Sequence, residues 1–129
     1  MTGVASGMSR TVIALVDDLI FASKIQIAVE QAGASLRRVG TTKALVAALQ
    51  SERPALVIVD LDGMGFDAVA ALSDLRDHAF ADGVPRIAFG SHVEPARLEA
   101  AREAGASSMP RSAFVRDLPQ LVASALGTS

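Results

Sequence analysis

Two stretches of this chain are apolar without interruption, and each ends on aspartate. Thr11-Val-Ile-Ala-Leu-Val16 runs into Asp17 and Asp18, and Ala55-Leu-Val-Ile-Val59 runs into Asp60. A strand with one wetted face alternates apolar and polar residues. An unbroken run rich in β-branched residues is instead the pattern of a strand buried on both faces, inside a parallel sheet that helices cover on each side. Both runs therefore belong near the middle of such a sheet, with their acidic ends at its carboxyl rim.

The segments between and after them keep the same rhythm. Phe21, Ile25 and Val29 recur every four residues, and Gly33 follows where a helix commonly ends, so the spacing predicts a first helix over Ile20 to Ala32. Ser35 to Val39 is a short strand whose Arg37 and Arg38 suit a sheet edge. Thr41 or Thr42 can cap a helix reaching about Gln50, with Leu45, Ala48 and Leu49 inward. After the Asp60 run, Phe66, Val69 and Leu72 or Leu75 mark the inner face of a third helix. Pro85 opens a strand over Arg86 to Phe89, and Pro95 begins a helix that Gly105 terminates. Ser107 to Met109 is a brief last strand. Asp117 is expected to cap a final helix carrying Leu118, Leu121, Val122 and Leu126, which places Pro119 in its first turn.

Five strands alternating with five helices imply an α/β fold, a doubly wound parallel sheet with helices on both faces. The polar second strand and the short fifth belong at the edges, which selects the flavodoxin-like order 2-1-3-4-5. In that order the first and third strands are neighbours, so Asp17, Asp18 and Asp60 converge at the switch point where such sheets bind ligands. A single aspartate there needs no more explanation than capping the next helix. Three crowded together repel one another and call for solvation, protonation or a cation, and an all-oxygen set suits Mg²⁺.

Composition narrows the function classes. Half of the 129 residues are hydrophobic but only 4% are aromatic, so the core is built from Ala, Val, Leu and Ile with five Phe as large fillers. The formal net charge of −2 gives no basic surface for nucleic acid or for a membrane. Zero cysteines exclude disulfides and thiolate chemistry and fit a reducing compartment, which makes the cytoplasm the expected location. Residues 1–10 are small and polar and read as a flexible tail, leaving 11–127 as one domain; no apolar run approaches the length of a membrane span.

Val16-Asp17-Asp18, Val57-Ile-Val-Asp60 and Ala104-Gly-Ala-Ser107 together resemble the receiver domain of bacterial two-component response regulators, over about Thr11 to Leu126. The resemblance implies a CheY-like fold and a signalling module rather than an enzyme. By position, it makes Asp60 the phosphoacceptor. It makes Asp17 and Asp18 ligands of Mg²⁺, completed by Asp60 and the backbone carbonyl of Asp62. A histidine kinase or phosphotransfer protein would supply the phosphoryl group, and a downstream protein would read it from the last two strand-helix units. Mg²⁺ offsets charge on the group in transfer while the carboxylate attacks in line.

The chain departs from that family at two positions. Receivers end the fourth strand with Thr or Ser, and counting from Pro85 puts Gly90 there, with Ser91 adjacent but expected by strand alternation to point elsewhere. The family ends the fifth strand with Lys followed by Pro, and counting from Ala104-Gly105-Ala106 gives Ser112 followed by Ala113, with Arg111 next to it. Gly90, Ser91, Arg111 and Ser112 are therefore the candidate switch and phosphate contacts. An arginine supplies the positive charge, though its planar fork is not a geometric copy of an ammonium.

These departures keep a second expectation open, an interaction module of the same fold that works without phosphorylation. A third comes from Asp60-Leu61-Asp62-Gly63, which also resembles the nucleophile motif of haloacid-dehalogenase-type phosphatases. That family needs a downstream lysine, and none follows Lys43. Gly63-Met64-Gly65 reads as a turn rather than a phosphate cradle. His78 and His92 have no metal-ligand partner at helical spacing, though His92 could lie near the pocket mouth, and Arg97, Arg102 and Arg116 read as a solvated face.

Overall fold

A computed structural model describes residues 10–91 and 95–127. Five parallel strands form one sheet in the order β2-β1-β3-β4-β5. They are β1 (Thr11–Leu15), β2 (Ser35–Val39), β3 (Leu56–Asp60), β4 (Arg86–Gly90) and β5 (Ser107–Pro110). The connecting helices are α1 (Leu19–Gln31), α2 (Thr42–Ser51), α3 (Ala68–Arg76), α4 (Pro95–Glu103) and α5 (Arg111–Ala125). This is the flavodoxin-like arrangement that the sequence predicts, with the polar β2 at one edge and the short β5 at the other.

Strand alternation divides the buried side chains into two layers. Ile13, Leu15, Val57, Val59 and Ala88 meet Leu45 and Leu49 of α2, Leu72 and Leu75 of α3 and Ala101 of α4. Val12, Ala14, Leu56, Ile58, Ile87 and Phe89 meet Phe21, Ile25 and Val29 of α1 and Phe114, Leu118 and Val122 of α5. β3 is buried along its whole length, because it lies between two strands and under helices on both faces. Its register pairs Val59 with Leu15 of β1 and Asp60 with Phe89 of β4, which brings the ends of three strands to one rim.

Three helix starts are fixed by side chains from that rim or beside it. Asp18, Thr41 and Asp67 accept hydrogen bonds from the amides of Phe21, Ala44 and Ala70. α1 ends at Ala32 with Gly33 at φ +81°, where a side chain would be strained. Arg10, the first described residue, donates to the carbonyls of Ala32 and Gly33 and closes the same helix end.

Two expectations are corrected. The last helix starts at Arg111 rather than at Asp117, so Pro119 lies inside it. Phe114, Leu118 and Val122 form one buried stripe at four-residue spacing, and stacking of Phe114 on Phe89 at 4.3 Å holds the extra turns against the proline. Phe66 is not part of the third helix, which begins after the Asp67 cap; it packs on the core from the preceding loop. A short 3₁₀ turn at Ala79–Ala81, with no counterpart in the sequence pattern, carries the chain toward β4.

Candidate functional site

Asp60 is the last residue of the central strand and is 2% exposed. One carboxylate oxygen, Oδ1, accepts a 2.8 Å hydrogen bond from the amide of Asp62. The other, Oδ2, lies 3.8 Å from Nη2 of Arg111. Burial pushes the Asp60 carboxyl above its ordinary value, and the nearby carboxylates of Asp62 and Asp17 push the same way; the Asp62 amide and the Arg111 charge pull it back. Asp60 is thus a desolvated acid with one oxygen held and the other facing a cation.

Asp17 follows β1 at the same rim. Its Oδ2 accepts from the amides of Met64 and Gly65 at 2.8 and 3.0 Å. Those two bonds, Gly65 first, hold its carboxyl below the ordinary value, and the Arg38 charge adds to them. Gly63-Met64-Gly65 is therefore a turn in which the Met64 and Gly65 amides are spent on Asp17 and the Gly63 amide on the Asp60 carbonyl. Arg38 donates to the carbonyl of Val16 at 2.7 Å, tying β2 to the strand end that carries the aspartates.

Asp18 points its Oδ1 at the start of α1, which is the capping role open to any strand-end aspartate. The structure therefore brings Asp17, Asp60 and Asp62 within electrostatic reach of one another and sets Asp18 at the helix cap. The oxygen donors fit Mg²⁺ in kind. Among the described residues, however, no three histidine, cysteine, aspartate or glutamate side chains are gathered as they stand to hold a metal ion.

The two positions where the chain departs from the receiver pattern are resolved by geometry. Gly90 ends β4, buried and paired with Pro110. Ser91 lies one residue beyond the strand, where alternation no longer fixes its direction, and its amide and hydroxyl both donate to Asp62 Oδ2 at 2.7 and 3.0 Å. Arg111, not Ser112, reaches the acids, at 3.8 Å from Asp60 and 3.9 Å from Asp62. The count from Ala104-Gly105-Ala106 lands on Ser112, but β5 ends at Pro110 and the helix begins at once, so Arg111 is the first residue beyond the strand. Ser112 is exposed and lines a groove of about 710 Å³ with Gly90, Leu98, Pro110 and Val115.

Arg111 is seated by aromatic residues that the sequence reading assigns only to the core. Its guanidinium carbon stands 4.3 Å from the centre of the Phe21 ring and 5.8 Å from that of Phe89. Its Nε is buried without a hydrogen-bond partner, so the group is oriented by stacking and by the two carboxylates. No local spacing links Phe21 to Arg111; the pair exists only because α1 and α5 pack on the same face of the sheet.

The remaining described candidates lie apart from this cluster. His78 stacks on Phe80 and sits 3.6 Å from Asp74, while His92 falls outside the described residues. Arg102 pairs with Glu99 and Arg116 with Asp117 at the surface.

This strand order is the flavodoxin-like one, and solved structures of response-regulator receivers share it. A response-regulator structure from Chloroflexus aurantiacus J-10-fl superposes with a TM-score of 0.80 at 20% identity, over 92% of this chain and 98% of that one. A CheY-like receiver domain from Methanospirillum hungatei JF-1 superposes with a TM-score of 0.78 at 17% identity, over 92% and 94%. The Mn²⁺-bound form of response regulator Rcp1 gives 0.71 at 17%, over 87% and 88%. No family model and no curated protein matches the sequence. The chain has the receiver fold.

Proposed function

We propose that this chain is a response-regulator receiver that accepts a phosphoryl group on Asp60 and signals through protein contacts. The observation that carries the reading is Asp60 itself, a buried carboxylate with Oδ1 held by the Asp62 amide and Oδ2 turned to Arg111. Holding one oxygen orients the other for in-line attack, and a guanidinium beside it offsets charge on the incoming group. In the transfer, Asp60 Oδ2 bonds to the phosphorus of a phosphohistidine on a histidine kinase or phosphotransfer protein. The P–N bond breaks, and the imidazole nitrogen keeps the electron pair and takes up a proton.

Mg²⁺ is the proposed cofactor, held by Asp17, Asp18, Asp60 and the carbonyl of Asp62; when bound it supplies charge neutralisation at the transferring group. Support comes from the oxygen-only donor set and from the Mn²⁺-bound form of the structurally similar Rcp1. The chain's part is to hold Asp60 still, exclude water from it and keep Arg111 at hand. The same reading places the protein in the cytoplasm, with a protein target, no nucleic-acid contact and no turnover of an external substrate. No helix among the described residues is long and apolar enough to cross a membrane.

Incubation with Mg²⁺ and a small phosphodonor is expected to give a phosphoprotein by intact mass, absent in Asp60→Asn. An unmodified wild-type chain under conditions that label a control receiver rejects the reading. A second reading, a module of this fold that binds its partner without phosphorylation, is favoured by Arg111 already lying across an acid that is 2% exposed. On that reading Asp60→Asn leaves partner binding unchanged.

A further inference from the structure

Asp62 uses one oxygen for three groups on two residues. Its Oδ2 accepts from the Ser91 amide at 2.7 Å and from the Ser91 hydroxyl at 3.0 Å, and it lies 3.9 Å from Nη2 of Arg111. The same Nη2 is 3.8 Å from Oδ2 of Asp60. One guanidinium nitrogen is therefore divided between the acid that ends β3 and the acid two residues on, while the second acid alone holds the first residue after β4. The neighbouring Gly90 has no side chain with which to sense anything placed on Asp60.

We propose that Asp62 is the positioning residue of a charge-operated latch: it holds Ser91 in the unmodified protein, and a phosphoryl group on Asp60 opens that hold. The inference rests on the phosphoacceptor reading above. When Asp60 Oδ2 bonds to phosphorus and the P–N bond of the donor breaks, a carboxylate with one negative charge becomes an acyl phosphate carrying about two. The planar fork of Arg111 pairs better with two phosphoryl oxygens than with two separate carboxylates at nearly 4 Å. Arg111 turns to the phosphoryl group, and Asp62 loses the one cationic side chain beside it among the described contacts while gaining a like charge. Both changes push the Asp62 carboxylate away from the rim, and Ser91 loses two acceptor contacts together. The signal is the release of Ser91, the first residue after β4.

The charge of Asp62 is the operative element, which separates this device from a structural hydrogen bond. Asp62→Asn keeps an oxygen able to accept from Ser91 and removes the charge that the phosphoryl group would repel. The test uses the full chain, ¹⁵N-labelled, with Mg²⁺ and beryllofluoride as the phosphoryl mimic. ¹⁹F resonances report the adduct, and exchange of the Ser91 amide reports the latch. In the wild type, adduct formation is expected to speed exchange at Ser91 by about tenfold, the loss of one to two net hydrogen bonds. In Asp62→Asn the adduct forms and Ser91 stays protected. Ser91→Ala removes the hydroxyl half of the hold and is expected to narrow the difference between free and adduct forms at the residue-91 amide.

An adduct with unchanged Ser91 exchange in the wild type overturns the latch and leaves the phosphoacceptor reading standing. So does a response in Asp62→Asn equal to that of the wild type, or an undiminished difference in Ser91→Ala. Absence of any adduct removes the phosphoacceptor reading, and the latch with it.

Discussion

At the scale of single residues, the sign of each acid's shift decides what its removal does. The Asp60 carboxyl is raised above 3.8, chiefly by burial, so the folded chain binds that proton more tightly than the unfolded one. Its ionised form therefore costs stability: the cost is absent below the unfolded value and is reached as pH rises through the folded value. Asp60→Asn keeps an acceptor for the Asp62 amide and is expected to gain on the order of 1 kcal/mol at neutral pH, about 3 °C in Tm. The gain should vanish toward pH 4, roughly the unfolded value, in thermal melts across a pH series. A destabilised variant at neutral pH would mean that attraction to Arg111 outweighs desolvation.

Asp17 has the opposite sign. Its carboxyl is lowered by the Gly65 and Met64 amides, so its contribution is present above the ordinary value and is lost as pH falls through the folded one. Asp17→Ala strips those two amides of a charged acceptor. Because the site is exposed and screened, the cost is expected to be only about 1 kcal/mol. The same melts should show that penalty shrinking in acid, and amide exchange should quicken at residues 64 and 65 while β3 stays protected.

At the scale of elements, α5 shows where the order of the sequence misleads. Proline favours a helix's first turn, so Asp117 and Pro119 read as a start, yet the helix has already run from Arg111. The deciding term is tertiary: Phe114 stacks on Phe89 and touches Phe21, contacts from distant parts of the chain. Pro119 is exposed, so its ring does no packing that would offset the missing amide. Pro119→Ala is expected to stabilise the chain by about 2 kcal/mol, less than the full interior proline penalty because the helix has adapted to it. Urea titration measures it, and an unchanged midpoint would mean that the proline carries no strain here.

The same contrast explains which parts of the site could be read in advance. Asp60 and Asp17 were legible because an apolar strand stops on them, and strand order follows from which runs are polar. Arg111 was legible only as a neighbour of Ser112, since the length of β5 depends on where α5 begins. The Asp18 cap is a local contact that any strand-end aspartate offers, but the hold of Asp62 on Ser91 and the seat of Arg111 on Phe21 are choices among side-chain partners brought together by folding. Local spacing carries no signal for them.

At the scale of the molecule, the sheet separates two apolar layers that share only its strands. Leu72 of α3 is fully buried in one and Phe114 of α5 in the other. Were the layers independent, each could melt alone. β3 argues against it, because Val57 and Val59 face one layer while Leu56 and Ile58 face the other, so neither can come apart without unpairing the strand that supports both. Leu72→Ala is expected to cost about 3 kcal/mol and Phe114→Ala about 4 kcal/mol, each by the cavity it leaves. Lying on opposite faces with no shared contact, the two should add to within about 0.5 kcal/mol in the double variant. Either one should shift far-UV circular dichroism and amide exchange on both faces together. Separate transitions on the two faces in Leu72→Ala would show that β3 does not couple them, and a change at Asp60 could then loosen one face without being felt on the other.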